Sequence, residues 1–129
     1  MTPSHRARLI ATYIERYASD SPSSLSLGKN EDEPTFWAYS ELAELVHKKP
    51  SEAFDIVLGI LASTDDESVL DNLAAGPLEE LIQFHGLLII DLIEHEAIRN
   101  PSFMALLRGV WKAGSEDVWR RIEALIRPH

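Results

Sequence analysis

Glu79, His85, Asp91 and His95 are the side chains whose types and spacing could carry chemistry in this sequence. A carboxylate and an imidazole within reach of each other can serve as general base and general acid near neutral pH. Glu79 and His85 are six positions apart, which puts them on different faces of one helix and makes direct cooperation doubtful. Asp91 and His95 are spaced i,i+4 with Glu94 beside them and Glu96 following, a pattern that can orient an imidazole or hold a metal. A di-metal carboxylate bundle needs Glu-x-x-His on two helices, and neither Glu79 nor Glu80 has a His three residues on. The His-Glu-x-x-His pattern of zinc proteases is also absent. The reading is therefore a solvated helix face with a local carboxylate–imidazole pair, and no metal or cofactor is expected.

Other chemistries find less support. The chain has no cysteine, which removes disulfides, thiolate catalysis and Cys-ligated metals. No Gly-x-Ser-x-Gly elbow occurs, and the six glycines are scattered singly, without a phosphate-binding loop. Ser51, Ser102 and Ser115 all stand at helix openings, where capping accounts for them. Trp37, Trp111 and Trp119 fall at helical spacing among apolar residues and read as core.

Charge is more informative than any motif. The net charge is −9 over 129 residues. It divides into +2 for residues 1–19, −11 for residues 20–80 and 0 for residues 81–129. An acidic middle argues against nucleic-acid binding, which needs clustered Lys and Arg. It suits a basic protein partner, since complementary potential speeds and orients docking. Glu31, Asp32 and Glu33, together with Asp65, Asp66 and Glu67, are the candidate partner-binding residues.

The elements that must position these groups read as helices throughout. The first runs from about Pro3 to Ala18, with Thr2 as cap and Leu9, Ile10, Tyr13, Ile14 and Tyr17 on one face. Residues 19–34 form a polar Ser/Gly/Pro-rich loop. A second helix spans Thr35 to Lys48, and a third begins at Pro50 and is apolar over most of its circumference. Thr64-Asp65-Asp66-Glu67 has the form of a capping box and opens a fourth helix ending near Ala75. Gly76 is read as its stop and Pro77 as the start of a fifth, whose first turn holds Glu79 and Glu80 and whose end is His85-Gly86. A buried sixth helix from about Leu87 to Arg99 follows. Its apolar run 87–93, broken by Asp91, is too short to span a bilayer. Asn100-Pro101 opens a seventh helix carrying Phe103, Leu106, Leu107, Val110 and Trp111, and Ser115 caps an eighth.

The expected fold is all-α: one domain over residues 1–129, with seven or eight short antiparallel helices as a compact bundle or a short HEAT-like stack of hairpins. The arginine-bearing N-terminus has helical rather than continuous apolar patterning, so no secretory signal is expected there, and the reading is cytoplasmic, without membrane association.

One resemblance joins these observations. Leu73-Ala74-Ala75-Gly76-Pro77-Leu78-Glu79, His85-Gly86, Asp91, Ile93-Glu94, Ala97, Pro101, Phe103, Leu106-Leu107 and Val110-Trp111 resemble a small bacterial family classed as a domain of unknown function. The similarity covers about the C-terminal two-thirds of the chain. It implies a bacterial or phage-related origin and no established activity. The functional expectation is a small acidic protein-binding domain of the inhibitor or immunity type, acting on a basic partner surface. The alternatives are an enzyme or metal-binding protein using Glu79, His85, Asp91 and His95, and a non-catalytic assembly subunit. The oligomeric state is open.

Overall fold

Local capping chemistry sets several helix starts. The computed structural model describes residues 1–19 and 34–127. Helix α1 is Pro3–Tyr17, with Pro3 in its first turn and the Thr2 hydroxyl accepting from the His5 amide at 3.1 Å. Helix α2 is Phe36–Lys48, and a single residue, Lys49, separates it from α3, Pro50–Ser63. Helix α4 is Glu67–Leu73. Its cap is Asp66, whose carboxylate accepts from the Val69 amide. Thr64, expected to be the cap, instead accepts from the Asp66 amide just before the helix. Helix α5 is Glu79–Arg99 and α6 is Pro101–Leu107, opened by Asn100 accepting from the Ser102 and Phe103 amides. Helix α7 is Glu116–Ile126, capped by Ser115.

The largest departure from expectation lies between α4 and α5. Gly76 does not stop a helix and Pro77 does not start one. Residues Ala74–Leu78 form a π turn, so that helix carries on from Glu67 through Pro77 and, across a kink at His85, to Arg99, a rod of 33 residues. Pro77 has no amide hydrogen to give the Leu73 carbonyl. The backbone widens around that gap, and the Glu79 amide reaches five residues back to the Ala74 carbonyl. Buried Leu73, Leu78, Leu81 and Ile82 run straight through the turn, so packing favours continuity where the local residues favour a break. Glu79 and Glu80 consequently face no open helix end. His85 has non-helical backbone (φ −135°, ψ 26°), so two helices meet there across a kink, at the place where a helix stop is expected from His85-Gly86. By length and composition alone the rod could cross a membrane. Its buried face, including Ile89, Ile90 and Ile93, is accounted for by the core.

Residues from every helix enter one core. Helix α3 is its centre: Ala53, Phe54, Ile56, Val57, Ile60 and Leu61 are buried, and Phe54 meets Phe103 of α6 edge-on at 5.6 Å. Contacts link α1 to α4, α2 to α5 and α3 to α6 as well as chain neighbours. The fold is all-α, with helices packed around one core, as expected. Leu87 and Leu88, expected to be buried, are 78% and 61% exposed. Helix α6 ends at Leu107, so Trp111 falls in the following segment and is 78% exposed. Trp119 is buried and Trp37 packs half-buried at the core's edge.

Candidate functional site

The four candidate catalytic residues stand along the kinked rod, and among the described residues His85 alone of the four lines one of the main pockets. Glu79 and His95 stand on opposite sides of the His85 kink, sixteen residues apart in sequence. Glu79 accepts from the Trp111 amide at 3.3 Å, and Gln83, one turn on, accepts from the Gly114 amide at 2.9 Å. Together they moor the segment between α6 and α7 on the rod. His85 is half-buried at the kink, with its Nε2 enclosed and without a hydrogen-bond partner. Asp91 does not pair with His95. Arg121 of α7 takes it at 2.8 Å and also binds Glu94 through Nε at 3.0 Å. Those two carboxylates hold the guanidinium pKa above its ordinary value. His95 is exposed. Among the described residues no three His, Asp or Glu side chains are grouped to hold a metal.

Glu96, beside His95, has a clear structural role. It is buried and accepts from Asn100 Nδ2 and Arg99 Nη2, both at 2.8 Å. The Asn100 hydrogen bond, then Arg99, keeps its carboxyl below the usual glutamate range despite burial. The same Asn100 caps α6, so one network fixes the corner between α5 and α6.

The acidic candidates divide by position. Glu31, Asp32 and Glu33 lie outside the described residues. Asp66 is occupied: besides capping α4 it accepts from the Ser19 amide and hydroxyl, contacts that lower its pKa, the Ser19 amide first. Asp65 and Glu67 are exposed, and with Asp71 they form the rim of a groove of about 600 Å³ between α4 and α6. Leu61, Leu70, Ala74 and Leu106 supply apolar surface, while Ser102, Ala105 and Gly109 make an uncharged opposite wall. Asp71 was not singled out by sequence reasoning. Its signal is the i,i+4 spacing from Glu67, which stacks both on one face of α4.

Many surface carboxylates are paired with a cation. Asp55 is held by Arg6, Glu44 by Lys48, Asp91 and Glu94 by Arg121, Glu116 by Lys112 and Glu123 by Arg127. Among the described residues Asp65, Glu67 and Asp71 have no such cation. The groove thus presents unneutralised negative charge over apolar surface.

The chain belongs to the family of unknown function DUF6869, whose model matches residues 26–128. No curated protein and no solved structure matches it.

Proposed function

We propose that this domain acts by binding a protein that presents a basic, partly apolar segment, which docks in the groove between α4 and α6. The observation that carries this reading is the concentration of unpaired carboxylates, Asp65, Glu67 and Asp71, on one rim of a cleft whose other surfaces are apolar or neutral. Lysines or arginines of the partner would meet the rim. Apolar side chains between them would cover Leu61, Leu70 and Leu106, giving both the electrostatic and the hydrophobic contributions of a specific interface. The net charge of −9 adds a long-range field that steers a cationic partner toward the molecule. An inhibitor or immunity protein that masks a basic site would use such a surface.

A short peptide of alternating Lys and Leu, with a Glu/Leu peptide as control, tests this on the intact chain. The Lys/Leu peptide should shift the amide resonances of residues 61–74 and 102–109, and its affinity should fall by about tenfold or more between low and physiological salt. Asp65→Asn, Glu67→Gln and Asp71→Asn together should abolish the shifts while leaving the melting temperature close to wild type. Binding that survives the triple substitution, maps to another face or ignores salt would refute the groove as the docking site.

A further inference from the structure

The π turn borders a second cavity, lined in part by Ala75, Gly76 and Pro77. It has a volume of about 200 Å³. Tyr13 and Tyr17 enter it from α1, Tyr39 from α2, and Asn72, Gly76 and Glu80 from the rod. The rings of Tyr13 and Tyr17 are 4.7 Å apart and tilted by 51°, so they form a corner rather than a stack. Burial, then the neighbouring Tyr17 phenol, pushes the Tyr13 pKa well above its ordinary value. Tyr13 therefore stays neutral, and among the described residues Glu80 is the one formally charged side chain lining the cavity, with no lysine or arginine beside it.

Gly76 and Pro77 have no structural explanation of the kind local sequence suggests. Gly76 does not have positive φ. A Cβ built on it would meet nothing within 4 Å. Neither backbone conformation nor close packing requires glycine there, although glycine inside a helix costs about 1 kcal/mol relative to alanine. Gly76 lines the cavity, and open space stands where its side chain would be. Pro77 forces the π turn, and insertions of this kind are frequent at functional sites.

We propose that this cavity binds a small organic cation, a quaternary ammonium or alkylammonium group, with the tyrosine rings around the charge and Glu80 as its counter-ion. Aromatic faces carry negative potential and Tyr is among the rings that bind such cations. These rings already accept one: the Arg16 guanidinium lies 5.6 Å from the centre of the Tyr17 ring and 5.7 Å from that of Tyr39. Arg16 is not among the lining residues, whereas Glu80 is. The volume is below the range of drug-sized pockets, which limits the bound part to a headgroup or a small molecule.

Choline and its uncharged isostere 3,3-dimethylbutan-1-ol are the probes, titrated into the intact chain and followed by amide shifts and tyrosine fluorescence. Choline should bind saturably and shift residues 72–80, with the isostere weaker by about tenfold or more. Glu80→Gln should remove most of that preference without changing the fold, as judged by its melting curve. Gly76→Leu, which fills the cavity from its open wall, should abolish binding of both probes. If Gly76→Leu does not fold, Gly76→Ala replaces it and should weaken choline while leaving the melt at or above wild type. Equal affinity for choline and the isostere would overturn the cation assignment. No saturable binding of choline, or binding unchanged in the Gly76 variant, would overturn the site.

Discussion

Gly76 and Gly86 stand ten residues apart on the same helical rod and serve opposite ends. At Gly86 a Cβ would lie 3.0 Å and 3.2 Å from the two methyl carbons of Val118, so the missing side chain is what lets α7 close on α5. At Gly76 a Cβ would meet nothing within 4 Å. Each glycine accompanies an irregularity, a π turn at one and the His85 kink at the other. The kink is tied down by packing: the segment after α6 lies across it, with Gly114 at φ +76° on the Ile82 carbonyl and Gln83 holding its amide. The π turn borders empty space. A residue pair that looks the same in sequence can thus be a packing requirement in one place and a cavity wall in another.

The largest effect should come from the packed side. Gly114→Ala would place a Cβ 2.8 Å from the Ile82 carbonyl oxygen and hold a non-glycine residue at positive φ. Both effects oppose the native backbone, and the expected loss is about 2 to 4 kcal/mol in urea unfolding. A loss below about 0.5 kcal/mol would mean that this segment is not seated as described. Gly86→Val should cost about 2 kcal/mol through overpacking against Val118. Adding Val118→Ala should return part of that loss, and the double-mutant cycle should give a coupling of about 1 kcal/mol. Strict additivity would show that the two residues do not share the contact.

The contrast also explains which parts of the molecule were legible in the sequence. Thr2, Asn100 and Ser115 were readable as caps because a cap is made by residues two or three apart, and the structure has all three. The core face of α3 was readable because it is apolar nearly all round. Gly76-Pro77 was misread because local preference favours a break, while the buried line from Leu73 to Ile82 comes from helices far away in sequence. Leu87, Leu88 and Trp111 show the reverse limit: apolar side chains declare what they would prefer to bury, not whether any element reaches them. Asp65 and Glu67 were legible as charge. Their groove was not, since its facing wall comes from Ser102 and Leu106, more than thirty residues away. Tyr13 and Tyr17 read as one helix face, and nothing local distinguishes a ring against a core from a ring against a cavity.

The smallest effect is the one that separates the two glycines most clearly. Gly76→Ala removes the extra backbone freedom of glycine in the unfolded chain and adds a methyl group to open space, so it should stabilise the fold by about 0.5 to 1 kcal/mol. The direction matters more than the size. A helical glycine whose replacement raises stability is one that folding does not need, and a chain that keeps it has another use for the space. If the same substitution weakens choline binding, stability and cavity function oppose each other at one atom, as expected where a site is left under-packed for a ligand. If Gly76→Ala instead destabilises the protein in urea, the π turn itself needs glycine. Gly76 and Gly86 would then both be packing residues, and the comparison between them would fail.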